Sequence, residues 1–187
     1  MPSFVEFEAF GDKSPEHRNT PISVRHATVA DVERCADLAR QYEGDDAGAV
    51  DFESRVRGWL NRPAGCFLVA VGADHDLVGY GRVVRLEAAT APTGFYLAGL
   101  VVDPGVRRRG VGLSLTRSRM EWISANAPEA WYFCNARNHA SIELHAGMGF
   151  HEMTRDFEIP GVTFEGGVGI LFHKILNGAR CSCPQGQ

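Results

Sequence analysis

The sequence predicts an α+β domain: a mixed, mostly antiparallel sheet with helices on both faces. Three observations support this. Strand-like and helix-like periods alternate in the order β-α-α-β-β-β-α-β-α-β-β over residues 21–176. The chain has 187 residues, enough for one domain with a substantial core. Its hydrophobic fraction of 44% and charged fraction of 22% are those of a globular protein, with no repeat or linker to divide it.

Residues 1–20 are polar, with a weak alternation at Phe4-Val5-Glu6-Phe7, and are expected to form a flexible extension. Ile22-Ser23-Val24-Arg25 alternates as a first strand. Thr28 is an N-cap residue, and Val32, Cys35, Ala36, Leu38 and Ala39 follow at helical spacing. Asp45-Asp46 breaks that run, and Val50, Phe52, Val56 and Trp59-Leu60 outline a second helix closed by Pro63-Ala64-Gly65. Cys66–Val71 and Leu77–Val84 flank the turn Ala73-Asp74-His75-Asp76, which makes them a hairpin. Phe95–Val102 is the next strand. A helix with two apolar stripes spans Gly110–Ala125 and stops before Pro128. Ala130–Cys134 is a short core strand, His139–Met148 a helix ended by Gly149, and Phe150–Phe157 with Val162–His173 a final antiparallel pair. Residues 177–187 are expected to be a flexible tail.

The junction after the fourth strand carries the chemistry. Val101-Val102-Asp103-Pro104 closes the strand, Arg107-Arg108-Arg109 follows, and Gly110 and Gly112 bracket the start of a helix. The first N–H groups of a helix lack intrahelical partners, and the helix dipole adds partial positive charge there. Glycines let a bulky anion approach the amides, and arginines add charge and forked donors. The run lacks the Lys-Ser or Lys-Thr of a Walker P-loop and the third glycine of a dinucleotide fingerprint.

Arg107-x-x-Gly110-x-Gly112 resembles the acetyl-CoA pyrophosphate loop of the GNAT superfamily of N-acetyltransferases. Asn138-x-x-Ser141-x-x-x-His145-x-x-x-Gly149-Phe150 resembles the family's second segment, with Ser for Ala and His for Tyr. The resemblance covers residues 22–173 and implies a GNAT-type fold in which the fourth and fifth strands splay apart around acetyl-CoA. It also implies that Leu100, Val101 and Val102 hold the pantetheine arm by main-chain hydrogen bonds. Arg107, Arg108, Arg109, Gly110, Val111, Gly112, Leu113 and Ser114 would then surround the pyrophosphate, and Asn138, Ser141 and His145 would face the coenzyme.

Asn138, Ser141 and His145, spaced by three and four residues, share one helical face. Asn138 also suits an N-cap and Ser141 simple packing, so both roles stay open. His145 stands where the family has a tyrosine proton donor, which makes it the candidate donor to the leaving sulfur, against the alternative of a packed or solvated histidine. Many relatives carry a Glu on the fourth strand, and this chain has none there. Glu87, Tyr96 and Glu165 are the candidate bases, with a water chain as the alternative.

The expected reaction is acetyl transfer from acetyl-CoA to a primary amine of a small molecule by direct attack. A protein or peptide acetyltransferase and a non-catalytic acyl-CoA-binding module are the alternatives. The Ser-Ile-x-Leu-His helix resembles that of family members acting on small xenobiotic amines. Acceptor recognition is expected in the loops Gln41–Asp51 and Phe157–Gly167, with Asp45, Asp46, Asp51 and Glu165 as acids for a cationic amine. The net charge of -4 argues against a nucleic-acid partner. The sequence has no bilayer-length apolar run and no signal-peptide pattern. Five scattered cysteines (Cys35, Cys66, Cys134, Cys181 and Cys183) argue for a reducing, cytoplasmic setting and against a disulfide framework. Cys181-x-Cys183 offers only two ligands, so no metal is expected. Nothing selects an oligomeric state, and a homodimer stays open.

Overall fold

A computed structural model describes residues 22–43, 51–62, 64–88, 90–164 and 166–176. The N-terminal extension with Phe4–Phe7, the C-terminal tail with Cys181 and Cys183, and the acids Asp45, Asp46 and Glu165 lie outside the described residues.

The strands are β1 (Ser23–His26), β2 (Gly65–Val71), β3 (Leu77–Leu86), β4 (Gly94–Val102), β5 (Glu129–Asn135), β6 (His151–Thr154) and β7 (Gly169–Ile175). The helices are α1 (Val32–Glu43), α2 (Phe52–Leu60), α3 (Val111–Ser124) and α4 (His139–Ala146). The sheet order is β1-β2-β3-β4-β5-β7-β6. Every pairing is antiparallel except β4 with β5. Among the described residues no helix is long and apolar enough to cross a membrane.

Local chemistry starts the helices where the sequence suggests. Thr28 precedes a 3-10 turn at Val29–Asp31, which leads into α1. The Asp31 carboxylate accepts from Thr28 N at 2.7 Å and from both Nη atoms of Arg25 at 2.8 Å. Its hydrogen bond with Arg25, ahead of the opposing effect of burial, holds its pKa down at about 2. Asp51 caps α2 by accepting from Ser54 N at 2.9 Å.

Side-chain alternation divides the core between the two faces of the sheet. On one face α3 packs over Leu68, Ala70, Val83, Leu97 and Tyr132, with Ile142 of α4 at its edge. On the other, α1 and α2 cover Phe67, Val69, Val71 and Tyr80. Further along that second face, Phe157 and Ile159 cover Val84, Tyr96 and Trp131.

Two expectations change. The last hairpin is much shorter than predicted, because residues 155–164 leave the sheet and fold back across it. Burial of Phe157 and Ile159 on the sheet face outweighs strand propensity there, and Gly161, Gly166 and Gly167 supply left-handed turns. The buried side of α3 also holds Thr116 and Arg119, two polar side chains among the apolar ones.

Gly79 sets how closely β3 approaches β4 and α3. A Cβ there would stand 2.8 Å from the Val101 carbonyl oxygen and 3.3 Å from Val111. Gly79→Ala is therefore expected to cost about 1–3 kcal/mol through overpacking, read as a lower urea midpoint with an unchanged m-value.

Candidate active site

The site is built by two parallel strands that part. β4 and β5 pair only at Tyr96 with Trp131 and Leu97 with Tyr132. A cavity of about 310 Å³ opens beyond them, walled by Ala98–Val101 and Phe133–Asn135. β4 also bulges here. Tyr80 opposes Val101 and Arg82 opposes Ala98, so two residues, Gly99 and Leu100, face the single Gly81 and pair with neither neighbouring strand. Gly99 takes φ 55°, a conformation that favours glycine.

The buried Arg119, 1% exposed, gathers the groups around the bulge. Its Nη1 donates to Arg82 O at 3.4 Å and Ala98 O at 3.5 Å, its Nε to Leu115 O at 3.4 Å and its Nη2 to Thr116 Oγ1 at 2.8 Å. These partners are neutral oxygens. Burial lowers the Arg119 pKa to about 10, which still leaves a cation at neutral pH.

At the end of β4, Asp103 accepts from Gly105 N at 2.9 Å and pairs with Arg34 of α1 at 2.6 Å. The next residues form an anion cradle. Arg108 (φ 63°) and Gly110 (φ 84°) are both left-handed, which curls successive amides inward. No side chain caps α3 at Gly110, so the helix end is open to a ligand. Arg107, Arg108 and Arg109 are exposed around it, and Arg107 Nε donates to Val102 O at 3.3 Å. Gly112 lies against Leu100, Val102 and Leu144, which joins the cradle to the cavity wall.

α4 supplies the facing wall. Asn138 is its N-cap, accepting from Ser141 N at 3.1 Å, and also lines the cavity. Ser141 Oγ accepts from Tyr132 OH at 2.5 Å. Tyr132 reads as a core residue in the sequence, yet its hydroxyl reaches the cavity wall. Only the register of β5 against α4 brings them together.

His145 lies on the cavity wall, as expected of a residue facing the coenzyme. Its Nδ1 lies 2.8 Å from Ser141 O. A carbonyl oxygen can only accept, so Nδ1 carries the proton. Nε2 is left with a bare lone pair, buried at the cavity and without a hydrogen-bond partner. The ring stacks on Tyr132 with centroids 3.7 Å apart. Burial first, and the Arg119 charge second, push its pKa down to about 3. The one N–H of the neutral ring is thus engaged by Ser141 O.

The structure does not bring the other catalytic candidates to the cavity. Tyr96 is 0% exposed, donates to Pro92 O at 2.6 Å and is pushed up to about 12 by burial. Glu87 lies beyond the end of β3, exposed, and pairs with Arg85 at 3.4 Å. Asp51 is occupied as the α2 cap. Of the acids expected to meet the acceptor, Asp45, Asp46 and Glu165 lie outside the described residues. Among the described residues no Asp or Glu lines the cavity, whereas Arg62, Arg82, Arg119 and Arg137 do. β3 carries two charges, Arg82 and Arg85, and its sequence alone does not tell which of them lines the cavity.

Comparison with known proteins agrees with the geometry. The model of the acetyltransferase (GNAT) family matches residues 32–150. The N-alpha-acetyltransferase RimI of Mycobacterium tuberculosis is 28% identical over 134 residues, 71% of this chain and 80% of that protein. An aminoglycoside N(6')-acetyltransferase type 1 of Klebsiella aerogenes is 30% identical over 104 residues, 54% of this chain and 68% of that one. An uncharacterised Mycobacterium leprae protein is 33% identical over 137 residues, and the match spans 72% of this chain but 36% of that longer protein. The structure of a Salmonella typhimurium acetyltransferase with its cofactor acetyl-CoA superposes with TM-score 0.66 at 17% identity, covering 89% of this chain and 99% of the other.

The buried neutral ring of His145 has a pH signature. The unfolded chain takes up this proton near pH 6.5, whereas the folded chain refuses it until about 3. Stability from this group is therefore whole above about pH 6.5 and is lost as the pH falls, by up to about 1.4 kcal/mol per unit. Urea unfolding from about pH 7 to about pH 4.5 should show a larger loss for the wild type than for His145→Phe.

Proposed function

The chain belongs to the GNAT acetyltransferase family, and from that premise we propose that it moves the acetyl group of acetyl-CoA to a primary amine of a small molecule by direct attack. One arrangement carries this reading: an unpaired, bulged stretch of β4 lies beside an uncapped helix terminus and opens into a cavity between parting strands.

The roles follow from the groups available. The pyrophosphate sits in the Arg108–Leu113 cradle, where amides, the α3 dipole and the Arg107–Arg109 charges all favour an anion. The pantetheine arm takes main-chain hydrogen bonds along Leu100–Val102, as an added strand would at a free edge. The amine nitrogen then bonds to the thioester carbonyl carbon, and the carbon–sulfur bond breaks. The proton lost by nitrogen ends on sulfur, giving an amide and the free thiol. A main-chain N–H at the bulge and the buried Arg119 cation stabilise the oxygen charge that develops. Ser141, held by Tyr132, relays the proton: its hydroxyl proton passes to the departing sulfur and the proton lost by nitrogen replaces it, while His145 Nε2 acts as a hydrogen-bond acceptor on the same wall.

The small size of the acceptor is supported by Ile159, Val162 and Phe164, which wall the cavity from the second face of the sheet. The name of the mycobacterial RimI relative favours a protein amine instead, so peptides belong in any substrate panel.

Acetyl-CoA should raise the melting temperature, and free thiol should appear on addition of an acceptor amine. Gly112→Asp places a carboxylate at the helix terminus with space to accept it. It should raise the KM for acetyl-CoA about tenfold, with little change in melting temperature without ligand.

A further inference from the structure

The cavity passes through the gap in the sheet and has two chemically different ends. The end towards α3 and α4 holds the Ser141 hydroxyl, the His145 Nε2 and the route to the anion cradle. The end towards α2 and the 155–164 segment is walled by apolar side chains (Val84, Leu86, Phe133, Ile159 and Phe164) and by Arg62 and Arg82. With the coenzyme entering from the first end, the acceptor occupies the second.

Arg82 is presented for use there. Its guanidinium carbon lies over the Trp59 ring, 4.0 Å from the centroid. It also lies over the bulge: a Cβ on Gly99 would come within 2.8 Å of Nη2 and 2.9 Å of Nε. Its Nε is buried without a hydrogen-bond partner. Burial lowers its pKa to about 10, so the group remains a cation at neutral pH. The neighbouring carboxylate Glu43 is already held by both Nη atoms of Arg55, at 2.6 and 2.8 Å. A rigid, partly desolvated guanidinium with an unsatisfied donor needs an acceptor anion, and its planar fork matches a carboxylate.

We propose that the acceptor is an amine that carries its own carboxylate beside an apolar body, an apolar amino acid, with Arg82 as the carboxylate-binding residue and Arg62 adding positive charge. This rests on the acetyltransferase reading and narrows its substrate. Arg82 at the bulge puts the carboxylate next to Leu100, where the thioester carbonyl is expected, so the adjacent amine is the group that reaches it. The apolar wall takes the side chain. Polyamines and aminoglycosides, being polycations, are opposed by the same arginines.

The test is thiol release with three acceptors that share one 3-methylbutylamine frame and differ in what it carries beside the amine, a carboxylate, a carboxamide or hydrogen: leucine, leucinamide and isoamylamine. The proposal expects kcat/KM for leucine to exceed the other two by about tenfold or more, because the uncharged analogues leave Arg82 unpaired. Arg82→Gln should erase that preference while leaving the KM for acetyl-CoA within about twofold, and Arg82→Lys should restore part of it. If the Gln variant does not fold, the wild type still decides. Isovalerate should inhibit competitively against leucine and not against acetyl-CoA. Equal or faster turnover of isoamylamine or leucinamide overturns the proposal and leaves the transferase reading standing, as does isovalerate competing with acetyl-CoA. No stabilisation by acetyl-CoA and no thiol from any amine overturns both.

Discussion

The parting of β4 from β5 after two residue pairs is the constraint on which the rest of the molecule depends. Parallel strands normally continue their ladder, and breaking it in the interior strands buried backbone donors and acceptors. Here one additional residue in β4 diverts the strand, and neighbouring residue types fit that defect. Gly99 accepts the left-handed turn, and Gly81 leaves room for a guanidinium whose nearest atoms lie 3.0–3.2 Å from its ideal Cβ position. Arg119 then satisfies carbonyls on both strands. The cavity is thus a product of the hydrogen-bond register.

Electrostatics follow from the same defect. The cation that bridges the bulge has no carboxylate partner among its hydrogen bonds, so its field extends into the cavity, where the low dielectric preserves it. That field helps keep His145 neutral and favours negative charge nearby. Arg82 adds a second cation from the opposite face of the sheet, over the Trp59 ring. Both are pre-placed by the fold, so little reorganisation is needed when charge develops between them.

Much of the fold was legible because its elements carry their own signals. The turn between β2 and β3, the Thr28 cap and the left-handed Gly149 are local features whose physics acts within a few residues. The anion cradle was legible for the same reason, since strand, arginines, glycines and helix follow one another directly in the chain. The final hairpin was less legible. Phe157 and Ile159 look like strand residues, and whether they join a ladder or cover another strand depends on surfaces far away in sequence.

Sequence by itself determined the family, the order of the elements and the place of the helix-terminal cradle, because periodicity, capping and turn chemistry are local. Tertiary structure alone decided what the polar side chains do. Tyr132 and Ser141 meet across β5 and α4, the His145 ring is buried against Tyr132, and Arg82 and Arg119 approach the same bulge from opposite faces. Proton placement and charge depend on burial and on partners within a few ångströms, and these exist only once distant segments are brought into register.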